Sequence, residues 1–372
     1  MLENLNLSVL GKQFEPVSEV SANEFYTHPE DLAQILREHL IPLELTLSLE
    51  YLYAYFSLRH AEEVTAEQTQ FPSLATDLSF VRRTLLMISV GEMTHYRWAH
   101  QLLWLLQDEG LVAPVADPGI PLAQRVPRPD ELGPAHRGFR NAALRPLTPE
   151  LLADLIAVER PSGYIDGAYG KLVSTLRQPK YPQHLYELAA KIDGDGMGHY
   201  KNLLEVQRVL DKYVQLDATD AYLRPLRVGT FAETADALEH YREILVNVQQ
   251  TYASIPQGEF RAAGATASCA RDQMTYLQEK GEVLARQGIG LPFLLRWWPE
   301  NSPGRATICL STWRAKPMNT ASTATATNVQ TLYEQSAPRQ PQIPLFETEY
   351  GPHALMADGS PVYSVAPELV AA

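Results

Sequence analysis

The chain has 372 residues, 45% of them apolar and 20% charged, the profile of a globular protein able to bury a core. Its formal net charge of -13 speaks against a nucleic-acid partner, which would need clustered Lys and Arg, and against docking on an anionic membrane. The two cysteines, Cys269 and Cys309, form no CxxC pair, which argues against a disulfide framework, an iron–sulfur cluster or a cysteine-based zinc site.

No apolar run follows a basic start in residues 1–17, and no window approaches ~20 uninterrupted apolar residues. With low cysteine use, this predicts a soluble, cytoplasmic protein.

Residues 1–26 read as an irregular lead-in. A helix opens at Thr27-His28-Pro29-Glu30-Asp31, where a cap candidate, an early proline and early acids suit the helix dipole. It runs to about His60, with a kink or an interruption expected at Pro42. A second helix opens at Pro72-Ser73 and stops at Gly110. Residues 110–147, rich in Pro, Gly and Arg, read as a long loop. A third helix starts at Thr148-Pro149-Glu150 and ends near Arg160-Pro161 or continues beyond it with a kink. A fourth opens at Tyr181-Pro182 and reaches about Tyr213. Further helix is expected over 231–288. Residues 299–372 hold many Pro, Ser, Thr and Ala, including the low-complexity run 320–328, and read as an extended or irregular tail.

The second helix carries the most informative pattern. Leu85, Ile88, Glu92, His95, Ala99, Leu102 and Leu106 recur at steps of three or four, so Glu92 and His95 interrupt a stripe that otherwise points inward. A buried carboxylate without partners costs several kcal/mol or changes its protonation state. An E-x-x-H pair offers an oxygen and an imidazole nitrogen about 60° apart around the axis, which suits a metal ion. The first helix repeats the anomaly: Glu44 sits in the stripe Leu36, Leu40, Leu47, Tyr51, Ala54, Leu58, whereas Glu50 lies off it and is expected to be solvated. Glu159 ends the stripe Leu152, Leu155 of the third helix. In the fourth, His199 lies on the apolar face with Leu185, Ile192, Leu203 and Leu210, preceded by Asp195. Gly194, Gly196 and Gly198 surround it, at a helix cost of about 1 kcal/mol each relative to Ala. They would permit close backbone approach, a bulge or room for a substrate.

Glu44, Glu92, His95, Glu159, Asp195 and His199 are therefore the candidate metal ligands. Their mixture of carboxylate and imidazole suits iron or manganese, with zinc open. Bland readings stand beside this one: Glu44 would pair equally well with Arg82 or Arg83, and a single histidine on an apolar face is often a hydrogen-bonded core residue. Tyr51 and Tyr164 are the candidate catalytic side chains, within reach of the same pocket. Tyr96 and Tyr200 read as core aromatics, and His100 as surface or second-layer. Four helices with one long crossover before the third fit an all-α, ferritin-like four-helix bundle with additional C-terminal helices. The expected organisation is a bundle over 27–214, a helical region packed on it over 215–298, and the tail over 299–372.

At these residues the sequence resembles the ferritin-like domain of iminophenylpyruvate dimer synthases, which couple amino-acid-derived imines in violacein-, rebeccamycin- and staurosporine-type pathways. The resembling stretches are LREHLIPLELTLSLEYLYAYFSL (36–58), LLMISVGEMTHYRWAHQLLWLL (85–106), LIAVERPSGY (155–164) and KIDGDGMGHYKNLLEV (191–206), and the likeness extends over roughly 30–295. It implies that Glu44, Glu92, His95, Glu159 and His199 bind metal. The family's fourth-helix glutamate would fall at Gly196, and Asp195, about 40° from His199 around the axis, is the candidate substitute. Two irons per chain are expected if it substitutes, and one metal or an open position if it does not.

The resemblance implies an O2- or peroxide-using oxidoreductase acting on a small amino-acid-derived natural-product intermediate. The alternatives are an iron-handling protein, against which the long chain beyond the bundle argues, and a structural or interaction protein that kept the bundle without the chemistry. A homodimer, with the tail wrapping a partner subunit, fits the tail's length but is not required by it.

Overall fold

The structure, a computed structural model, describes residues 25–113, 123, 125–129, 137–160, 164–254, 260–293, 345–348 and 351–354. The expected lead-in and most of the tail lie outside these residues. Residues 13–294 form one unit, and residues 1–12 with 295–372 form a second.

In the first unit the chain opens with α1 (Pro29–Ile35), passes through one π-helical turn at Leu36–Leu40 and continues as α2 (Ile41–Phe56). The π turn explains how Pro42 is tolerated. A proline ring collides with the carbonyl four residues back, and widening the preceding turn, with Ile41 N–H bonded to Leu36 O, relieves this without breaking the rod. The interruption at Pro42 thus takes the form of a π-helical turn between α1 and α2.

Next come α3 (Leu74–Asp108), stopped by Gly110 at φ +66°, and the crossover to α4 (Pro149–Val158), which Thr148 caps by accepting the Leu151 N–H. The third helix resumes as α5 (Tyr164–Leu176), followed by α6 (Gln183–Gln215), α7 (Phe231–Ser254) and α8 (Phe260–Arg286). Among the described residues no helix is long and apolar enough to cross a membrane.

The chain is all-α apart from short pairings. Part of the segment expected as loop pairs as an antiparallel hairpin, β1 (Arg125–Pro129) with β2 (Arg137–Asn141), in the register Pro127 to Phe139. A proline-containing strand is acceptable there, because both strands of a two-stranded hairpin are edges. A two-residue parallel pairing, β3 (Arg227–Val228) with β4 (Ile289–Gly290), ties the start of α7 to the end of α8. The second unit is described by one antiparallel hairpin, β5 (Leu345–Thr348) with β6 (Gly351–Ala354).

Helix α2 is the central rod. Every residue in it except Leu52 is buried, as expected for a helix that is apolar nearly all round. One face meets α3, with Ser48 and Ser89 each donating its hydroxyl to the other's carbonyl at 2.8 Å. Another face carries Thr46, Glu50 and Ser57, whose oxygens accept the backbone N–H groups of Ala123, Ala143 and Leu147 in the crossover. Glu50 is therefore buried, not solvated: the crossover covers the face on which it stands, and the Ala143 N–H bonds to it at 2.9 Å. The far end of α2 meets α8, where Phe56 packs on Gly281. Helices α3 and α6 run antiparallel, with Asp77 near Tyr213, Glu92 near His199 and His95 near Asp195.

Candidate metal centre

All six predicted ligands converge. Glu44 comes from the first turn of α2, Glu92 and His95 from the middle of α3, and Asp195 and His199 from the middle of α6. Glu159 is the C-cap of α4, where the chain leaves the helix just before Pro161. Glu44, Glu92, His95 and His199 are at most 6% exposed. His199 Nδ1 lies 2.7 Å from Glu92 Oε1, and His95 Nε2 lies 2.9 Å from Asp195 Oδ2. His95 Nδ1 faces Glu44 Oε2 at 3.6 Å and Glu92 Oε2 at 3.7 Å, while Glu159 Oε2 is 4.0 Å from His199 Nδ1. Glu92, His95 and His199 present ligand atoms within 4.8 Å of one another, close enough to share one ion.

Asp195 meets the cluster through His95 Nε2, and its side chain is the most exposed of the set at 22%. Arg82 turns away from Glu44 and pairs with Glu282 of α8. The two imidazole rings lie 4.9 Å apart, and His199 packs so closely on α3 that a Cβ added at Gly91 would come within 2.8 Å of its Cε1. Gly91 is thus what lets the fourth-helix histidine reach the centre.

Tyrosines hold the carboxylates from behind. Tyr51 donates its hydroxyl to Glu159 Oε1 at 2.7 Å, and Tyr169 of α5 donates to Glu44 Oε1 at 2.7 Å. Sequence reasoning placed Tyr51 near the pocket but missed Tyr169. Its signal was its place on the apolar face with Leu172, Val173 and Leu176. The side chain of Tyr164, at the start of α5, lies outside the described residues. His100 is buried rather than at the surface, stacked on Tyr252 of α7 at 4.2 Å.

The six side chains are four carboxylates and two imidazoles in the core of the bundle, so acids outnumber the bases that could balance them. The protonation pattern follows. Burial, then the neighbouring Glu92, pushes Glu44 up to about 8. Burial and Glu92 likewise hold Glu159 well above the usual carboxylate range. Burial also works to raise Glu92, but the charge of His199 and the hydrogen bonds around it outweigh that and hold it well below. His95 and His199 are raised against their own burial, His95 chiefly by Asp195 and His199 chiefly by Glu92. Tyr51 and Tyr169 are raised well above 10 by burial and then by the facing carboxylates, so both remain phenols that donate.

The groups leave a cavity of about 30 Å³, walled also by Leu47, Val158, Ile192, Asp193 and Gly196. A space of that size admits a water or an ion. The donor set fits a metal on chemical grounds: buried carboxylates and imidazoles with an excess of negative charge are what a hard or borderline divalent cation requires.

No curated protein matches the chain, and no solved structure does. A family model described as Ferritin-like matches residues 38–282, a span that contains all six of these residues. The chain belongs to the ferritin-like family.

Proposed function

We propose that the chain is a non-haem iron oxidoreductase that uses O2 or peroxide on a small amino-acid-derived natural-product intermediate, similar to iminophenylpyruvate dimer synthases. The observation that carries this reading is the charge count at the centre. With both imidazoles neutral, as metal binding requires, the four carboxylates of the predicted ligand set, Glu44, Glu92, Glu159 and Asp195, carry four negative charges, which two divalent ions would balance, while the buried Asp193 in the cavity wall stands outside that set. Asp195 then serves in place of the glutamate that the resemblance would put at Gly196.

Iron held by the six residues would supply the redox chemistry. The protein's own part is positional. The phenols of Tyr51 and Tyr169 fix one oxygen of Glu159 and of Glu44, leaving the other oxygen of each turned toward the histidines. Leu47, Val158 and Ile192 limit water around the donors. Tyr51 beside Glu159 and Tyr169 beside Glu44 are the described phenols placed to hold a proton next to the centre, and of the two Tyr169 also lines the cavity.

A second reading, a metal-binding or structural protein without an organic substrate, is favoured by one observation: Gly196 stands where the resemblance would put the fourth helix's ligand glutamate. Elemental analysis of protein made in iron-supplemented medium, beside Glu92→Ala/His95→Ala, tests the centre. About two irons per chain, lost in the double variant, is the expected result. Iron no higher than in the variant would sink it. Substrate-dependent O2 uptake by the iron-loaded protein then separates the oxidoreductase from the second reading.

A further inference from the structure

We propose that the gap over Gly196 is the port by which a small exogenous ligand, one with a single donor atom at a narrow end, reaches the metal centre. The inference rests on the metal-binding reading above and adds to it the residue that decides which molecules enter.

Gly91 and Gly196, both beside the centre, do opposite things. Gly91 on α3 is filled from outside, since the His199 ring occupies the place of its side chain. Gly196 on α6 is filled by nothing: a Cβ built there meets no heavy atom within 4 Å among the described residues. Close packing therefore does not account for Gly196. It is also not a break or a bulge, because α6 continues as α-helix from Gln183 to Gln215. A glycine in a helix interior lowers stability relative to alanine, and at Gly196 neither a packed neighbour nor a bulge offsets that.

Gly196 itself stands in the wall of the cavity that Glu44, Glu92, His95 and Glu159 also line. The neighbouring residue, Asp195, does not close it, because its carboxylate is turned to His95 Nε2 at 2.9 Å. The other walls are the apolar Leu47, Val158 and Ile192, with Tyr169 and the buried Asp193. A donor atom entering past Gly196 would meet the ligand set from the side of α6 and carry an apolar flank against the three apolar residues. A charge-transfer band arises only when an anion such as azide is bonded to the metal, so this probe reports arrival at the ion itself and the metal-free protein gives the background.

Azide is the probe. The protein is loaded with iron and oxidised, and azide is titrated while its charge-transfer absorption is followed, beside the metal-free protein and the variants Gly196→Ala and Gly196→Leu. Metal content and the unfolding midpoint are measured on each. The expected result is unchanged metal content in both variants, no loss of thermal stability in Gly196→Ala, and azide affinity that falls with side-chain size, by about tenfold or more for Leu (a factor equivalent to one extra 1.4 kcal/mol).

Unchanged azide affinity in a metal-replete Gly196→Leu protein would overturn the port and leave the metal centre standing. Loss of metal from Gly196→Ala would also overturn it, by showing that the space belongs to the ion rather than to an entering ligand. Wild-type protein that takes up no metal would remove the centre, and the port with it.

Discussion

Two clusters of buried charge lie about 15 Å apart along α3, the distance that ten helical residues span, and they are in opposite electrostatic conditions. At Arg82, two guanidiniums meet two carboxylates. Arg82 pairs with Glu282, and Arg224 reaches Glu63 at 2.7 Å and Glu282 at 3.3 Å. The spare donors also find partners, Arg82 at the Leu58 carbonyl and Arg224 at the Phe56 carbonyl. His60 beside them is lowered by burial and then by Arg82, so it adds no charge. At Glu92, by contrast, four carboxylates meet two imidazoles. The first cluster is complete as built and clamps α8 to α2 and α3. The second reaches neutrality only by binding protons or metal. Burial and charge alone therefore do not mark a functional site, but a surplus of one sign does.

If that contrast holds, the largest effect comes from breaking the complete cluster. Glu282→Ala leaves two arginines without their shared carboxylate and is expected to cost about 3 kcal/mol in chemical denaturation, as removal of one partner from a buried ion pair does. Iron content should not change. A parallel loss of iron would show that the clamp and the centre are one cooperative network rather than two clusters.

Next in size is Gly91→Ala. The new methyl would press on His199, so the ring must turn or α3 and α6 must separate. Iron affinity measured by competition with a chelator is expected to fall about 10–100-fold, the range for disturbing the support of a metal ligand. Gly281→Ala is the matched control. Its Cβ would come within 2.7 Å of Phe56 Cε1, far from the ligands, and should lower stability by about 1–3 kcal/mol while leaving iron affinity alone. Equal losses of iron affinity in both variants would mean that general loosening, not displacement of His199, is being measured.

What could be read from the sequence was local anomaly. Glu44, Glu92, His95 and His199 each break an apolar stripe of their own helix, and that violation is visible without knowing what lies opposite. What could not be read depends on a distant partner. Glu50 stands on the same helix as Glu44 and is as deeply buried, yet it looked solvated, because the crossover segment that covers it begins more than 60 residues later and resembles a loop. His100 looked peripheral until Tyr252 of α7 stacked on it. Tyr169 fits an ordinary apolar face, and only the position of Glu44 across the bundle turns its hydroxyl into part of the centre. The hairpin β1–β2 hid for a different reason, since Arg-Val-Pro-Arg-Pro has the composition of a turn.

The smallest expected effect is also the most discriminating. Tyr169→Phe keeps the ring and its packing and removes one hydroxyl that donates to Glu44 Oε1. A net hydrogen bond of this kind is worth about 1 kcal/mol, so iron affinity should fall by tenfold or less while the unfolding midpoint moves little. Tyr51→Phe should do the same through Glu159. The direction carries the information. A fall means that the phenol holds Glu44 in the geometry an ion needs. A rise means that the phenol competes with the ion for the carboxylate. In that case the centre's acid surplus is partly satisfied by the protein itself, and the contrast with the self-sufficient Arg82 cluster becomes one of degree.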